Sequence, residues 1–137
     1  MSDRFESFEE FWPHYVREHA DPLNRKLHFV GTTGVLAIAA AAAVMRRPGL
    51  MLAAPVMGYG FAWVGHFFVE KNRPATFSHP LWSLRGDFVM YFRMLTGQMD
   101  AEVEKANEAA QTHARETNGR GRHHGATPDA TATAQPN

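Results

Sequence analysis

Two long uncharged runs dominate the chain: FVGTTGVLAIAAAAAVM at 29–45 and LMLAAPVMGYGFAWVGHFFV at 50–69. A spanning helix typically needs ~20 apolar residues, so the second run has the right length and the first is close to the lower limit. Only Arg46-Arg47-Pro48-Gly49, a tight basic turn, separates them. The pair therefore predicts a transmembrane hairpin. The first run is alanine-rich and partitions weakly, and its small residues let a partner helix approach closely. That leaves homo-oligomerisation open. Upstream, Phe8, Phe11, Trp12, Tyr15 and Val16 recur at helical spacing within residues 1–20, and Ser7 and Glu10 have capping-box spacing. The aromatic stripe suits a membrane interface or a partner helix equally. Asp21-Pro22 is expected to end this helix, because the residue before proline is pushed out of the helical region. Downstream, LWSLRGDFVMYFRMLT at 81–96 embeds Arg85, Asp87 and Arg93 in an apolar run and suits an interfacial or half-buried helix.

After Gly97 aromatic and large aliphatic residues almost vanish. The expected fold is all-α: a small integral membrane helical bundle with a transmembrane hairpin and interfacial amphipathic helices. Residues 1–97 form the membrane-embedded domain, 98–117 a polar helical extension, and 118–137, carrying His123 and His124, a disordered tail. The competing expectation is a soluble protein with two buried helices, but so short a chain has little left to cover them. The first apolar run begins too late, and lacks the cleavage-like end, for a signal peptide. The length of 137 residues allows one domain. A formal net charge of zero gives no broad basic field for nucleic acid. The absence of cysteine removes disulfides and thiolate chemistry.

Eight histidines are many for this length. A hairpin returns the chain to its starting side, so His28 at the entry of the first run and His66 near the exit of the second lie at similar depth. His19 precedes His28 by nine residues, and His79 follows His66 by thirteen. Topology alone brings these four to one face. Arg17, Arg25, Lys26, Lys71, Arg73 and Arg85 lie on that face, against Arg46 and Arg47 at the other, which predicts a cytoplasmic location for the histidines. Neutral imidazole suits iron, zinc and copper, and two histidines with one carboxylate match the facial set of non-haem iron oxygenases. Glu70, one turn after His66, is a candidate ligand, an acceptor orienting a histidine, or an ion-pair partner of Arg73 or Lys71. Spacing alone leaves three alternatives: a metal site, a b-type haem with two axial histidines, or a non-enzymatic membrane scaffold with hydrogen-bonded histidines.

The stretches YVREHADPLNRKLHFVGTT at 15–33 and AWVGHFFVEKNRPATFSHPLWSLRGDFVMYF at 62–92 resemble a family of small membrane proteins. Its characterised yeast member is a 2-hydroxy fatty acid dioxygenase acting in fatty acid α-oxidation. The two stretches cover a little over a third of the chain and most of its part before Gly97 that carries polar motifs. The resemblance implies an Fe(2+)-dependent dioxygenase that takes a long-chain 2-hydroxy fatty acid and dioxygen at the lipid bilayer, and yields an acid one carbon shorter. By position it makes His19, His28, His66 and His79 the candidate iron ligands. Glu70 and Asp87 become candidate catalytic residues, and Asn24, Arg25, Asn72 and Arg73 candidate substrate-binding residues. Arginine forks suit a carboxylate, so Arg25, Lys26, Arg73 or Arg85 could pair with the substrate's acid group, and each of these cations also reads as a topology signal against lipid headgroups.

Overall fold

The computed structural model describes residues 5–123. Ser7 opens α1 (Phe8–Arg17), its side chain accepting the Glu10 N–H as the capping spacing predicts. Asp21-Pro22 then starts a helix rather than ending one. The Asp21 carboxylate accepts the Leu23 N–H at 2.7 Å and Pro22 occupies the first turn, where its missing N–H costs nothing. As a result α2 runs from Pro22 to Val44, seven residues earlier than the uncharged run, and carries Asn24, Arg25 and His28 on its first two turns. Arg46 closes α2 in the left-handed conformation at φ 52°. Its N–H bonds the Ala43 carbonyl and that of Arg47 bonds Ala42, so two otherwise orphaned carbonyls are satisfied. A short 3₁₀ turn (Pro48–Leu52) leads into α3 (Ala53–Val64), which packs antiparallel along α2.

The end of the hairpin departs from regular helix. Gly65–Glu70 forms a π-helical segment, stopped by Lys71 at φ 56° with the Asn72 N–H on the His66 carbonyl. Such wide i→i+5 turns are rare and concentrate at functional sites. A 3₁₀ turn (Ala75–Phe77) leads to α4 (Pro80–Leu95), closed by Gly97 at φ 68°. The last helix, α5 (Met99–His123), belongs to the first compact unit as far as Ala106; the second unit begins at Asn107 and is polar and exposed over its described side chains. The helix thus continues six residues into the stretch expected to be disordered, and residues 124–137, including His124, lie outside the described residues.

The aromatic stripe of α1 faces protein, not solvent or lipid. Phe11, Tyr15 and Val16 are fully buried against Met90 of α4 and Met99 and Ala106 of α5. The hairpin is the reverse. Two 23-residue helical stretches, Pro22–Val44 and Pro48–Glu70, are long and apolar enough to cross a membrane, yet their most apolar windows are only 22% and 17% buried. Val44, Leu52, Val56 and Phe68 are each at least 75% exposed. That exposure differs from the mostly buried core helices of a soluble protein.

Two truncations test where the core lies. Phe11→Ala should lower unfolding stability in detergent by about 3–5 kcal/mol, whereas Phe68→Ala, on a side chain 76% exposed, should change it by about 0.5 kcal/mol or less.

Candidate metal centre and adjoining cavity

His19, His28 and His66 converge. Their ligand nitrogens all lie within 4.8 Å of one another, and all three residues are buried. The rings stand nearly perpendicular to one another, with centroids 4.5, 4.6 and 5.1 Å apart. Each Nδ1 faces an oxygen that can only accept. For His19 it is the Tyr15 carbonyl at 2.7 Å, and for His28 the Asn24 carbonyl at 3.1 Å. For His66 it is the Asn72 side-chain oxygen at 2.7 Å, an orientation fixed because the same amide donates from Nδ2 to the Glu18 carbonyl. The Nδ1 protons are therefore committed, and the three Nε2 atoms turn lone pairs toward a common point.

His19 Nε2 and His28 Nε2 lie 3.2 Å apart. Two lone pairs at that distance repel unless a cation lies between them. Protonating a ring is unfavourable, since burial and then the neighbouring His28 and His66 hold the His19 pKa well below its usual value. A metal at ~2.0–2.1 Å from each nitrogen puts two ligand nitrogens about 3.0–3.4 Å apart, which the observed separation matches. The donor set fits a divalent transition metal. The meeting of three rings at one point suits a single ion held by three nitrogens.

His79 does not join them. The left-handed Lys71 and the 3₁₀ turn after it carry the chain across to α1, and the His79 ring stacks on Trp82 and packs between Phe5 and Phe11 at 5.3 and 5.6 Å. Glu70 also points elsewhere. In the widened π turn it does not lie under His66, and its carboxylate accepts the Asp21 N–H at 2.6 Å, tying the end of the hairpin to its start. The Arg25 guanidinium is buried and committed to the His19 and Ala20 carbonyls at 3.0 and 2.6 Å and to Asp100 at 2.9 Å. Arg73 is exposed, over the Phe77 ring, and Arg85 lies over Phe8. Asn72 orients His66, and Asn24 is fully buried against Gly65, where a Cβ would come within 1.9 Å of its side-chain oxygen. Only glycine at 65 allows α2 and the π segment to approach this closely.

Asp87 does reach the site. Its Oδ1 lies 4.0 Å from His28 Nε2 and accepts the Tyr15 hydroxyl at 2.5 Å. Burial pushes the Asp87 carboxyl up to about 6, against the opposing pull of the Tyr15 hydrogen bond. Tyr15 itself is pushed well above the usual phenol range by burial and then by Asp87, and so remains a donor. Its ring stacks on His19 at 4.1 Å and rests on Gly86, where a Cβ would approach within 2.8 Å. Tyr15 stands one turn before His19, a spacing that marks it as a neighbour, but the aromatic stripe concealed it as core. Ser83, one turn before Asp87, is buried with no hydrogen-bond partner for its hydroxyl among the described residues. All of these open onto one cavity of about 290 Å³ between α2, α3 and α4.

The family model of the 2-hydroxy-palmitic acid dioxygenase Mpo1-like proteins matches residues 5–99. The chain belongs to this family. No curated protein and no solved structure gives a match. In this Mpo1-like chain the matched span holds the histidine triad, Tyr15, Asp87 and the whole cavity lining, and stops at Met99, where α5 begins.

Replacing His19, His28 or His66 singly with alanine should each abolish stoichiometric metal binding, while His79→Ala should retain it, as measured by elemental analysis of purified protein. Asn72→Ala should weaken metal affinity by about 10- to 100-fold, the usual effect of losing a group that orients a ligand histidine.

Proposed function

We propose that this chain is an iron(II) dioxygenase of the membrane that converts a long-chain 2-hydroxy fatty acid into the acid one carbon shorter. The observation that carries this reading is the convergence of three Nε2 lone pairs at the end of an otherwise apolar cavity. The family name supports the substrate class. The overall reaction balances without a further reductant. A 2-hydroxy acid and dioxygen give the shortened acid, carbon dioxide and water; the C1–C2 bond breaks, and the four electrons released reduce the dioxygen.

Iron(II) held by His19, His28 and His66 would supply the positions at which the hydroxy acid and dioxygen meet. The remaining roles fall to the chain. Among the described residues no lysine or arginine lines the cavity, so the acid group is met by hydroxyls, with Ser83 and Thr32 as the donors nearest to hand. This reading sets aside the pairing with Arg25, Lys26, Arg73 or Arg85 that the resemblance implies. Asp87 Oδ1, with a carboxyl near 6 and the Tyr15 hydroxyl fixed on it, is suited to hold the proton of the substrate's 2-hydroxyl. Arg25 positions the His19 loop through its carbonyls and touches no substrate. The uncovered apolar faces of the hairpin suit a lipid bilayer, and the excess of lysine and arginine beside the histidines supports a cytoplasmic site.

Anaerobically purified protein should carry iron and consume oxygen with 2-hydroxypalmitate but not with palmitate. Asp87→Asn should keep the iron and lose about 10²- to 10⁴-fold in turnover; iron-loaded protein without oxygen uptake would sink the reading. Membranes washed in alkaline carbonate should retain the protein, and its release into the soluble fraction would refute the bilayer assignment.

A further inference from the structure

The cavity is not confined to the histidines. Along α3 and the turns flanking it, the residues that line it recur every three or four positions: Met51, Ala54, Gly58, Ala62 and His66. They form one continuous helix face. At ~1.5 Å per residue, the path from His66 to Met51 is roughly 22 Å. Its floor is made of small side chains at four-residue spacing, Ala54, Gly58 and Ala62, while the larger Tyr59 and Trp63 flank it. From α2, Thr32 and Val35 complete the opposite wall. Polar groups crowd the His66 end, and none of the lining beyond Thr32 toward Met51 offers a charge. Tyr59, Trp63 and Leu84 are 42%, 43% and 52% exposed, so the groove is open along its side between α3 and α4.

Gly58 lies at the middle of this groove. A Cβ built there meets the Val35 Cγ2 at 3.3 Å, and Val35 is itself a wall residue. A side chain at 58 therefore crowds the groove wall at Val35, which must shift or be bypassed through the groove, roughly 12 Å from His66 by the same ~1.5 Å rise per residue. Half the ~30 Å hydrocarbon core of a bilayer is about 15 Å, the depth that the acyl chain of a membrane lipid spans. The open groove exceeds that depth, and a groove blocked at Gly58 falls short of it.

We infer that the α3 face from His66 to Met51 is the acyl-chain groove, entered sideways from the bilayer, and that the absence of a side chain at Gly58 is what admits long chains. The inference rests on the dioxygenase reading for the identity of the head group. The length limit itself is a property of the groove and is tested separately from turnover.

Gly58→Leu tests it against Gly60→Leu. Gly60 is two residues away and lines a different, outer depression of the hairpin, with nothing within 4 Å of its added Cβ. Binding of 2-hydroxypalmitic acid and of the eight-carbon 2-hydroxyoctanoic acid is measured by tryptophan fluorescence on the iron-loaded, full-length protein without oxygen. Oxygen uptake with both acids is then measured in air. Gly58→Leu should lower the ratio of long- to short-chain affinity by at least ~10-fold, since a single misfitted methylene already costs about that much. Gly60→Leu should leave the ratio at the wild-type value. The milder Gly58→Ala should shift it in the same direction by a smaller factor, which guards against a leucine variant that fails to fold. An unchanged ratio in both Gly58 variants, with iron retained, overturns the groove assignment even if oxygen uptake is normal. A shifted binding ratio without oxygen uptake in the wild type supports the groove and refutes the dioxygenase reading instead.

Discussion

The site depends on where three protons sit. Each histidine of the triad gives its Nδ1 proton to a fixed oxygen, and only then do the three Nε2 lone pairs converge. His19 and His28 reach back to the carbonyl four residues earlier, so each helix end orients its own ring. His66 has no such local partner in the widened π turn and borrows the Asn72 amide, which is in turn anchored on the Glu18 carbonyl. The three histidines that could hold a metal thus come from a stretch after α1, the first turns of α2 and the last turn of the hairpin, and none of the three can rotate without breaking a hydrogen bond.

That arrangement requires the part of the molecule outside the hairpin. His19 lies between α1 and α2, outside regular helix, where a ring would wander unless its backbone were held. Arg25 holds it through the carbonyls of His19 and Ala20, and Tyr15 stacks on its face. Burying a guanidinium is tolerable because its donors are matched to carbonyls and to Asp100. Tyr15 in turn is held by the α1–α4–α5 aromatic core and by close approach to Gly86. Tyr15 thus belongs both to the core that stabilises the fold and to the residues that orient the histidines.

Polarity is graded along the cavity. Asp87, Tyr15, Ser83 and Thr32 lie with the histidines, and the groove down to Met51 is lined by uncharged, mostly apolar residues. An amphiphile with a chelating head and a hydrocarbon tail matches that gradient, and a fully polar ligand does not.

The all-α class, the hairpin, its basic tip and the meeting of His19, His28 and His66 were legible in the sequence, because they follow from the length and polarity of runs and from a hairpin's return to its starting side. The positions of Glu70, Arg25, Arg73 and His79 were not. Regular helix spacing puts Glu70 beneath His66, but a π turn, invisible in composition, rotates it onto Asp21. The left-handed conformation falls on the non-glycine residues Arg46 and Lys71, and at Lys71 no glycine marks the turn. Whether an aromatic stripe faces lipid or protein is the same pattern in either case, and only the packing of α4 and α5 on α1 buried it. The sequence thus determined which residues are near the site. Which atoms face one another was decided by hydrogen bonds and close glycine contacts between segments far apart in the chain, and these exist only once the helices have packed.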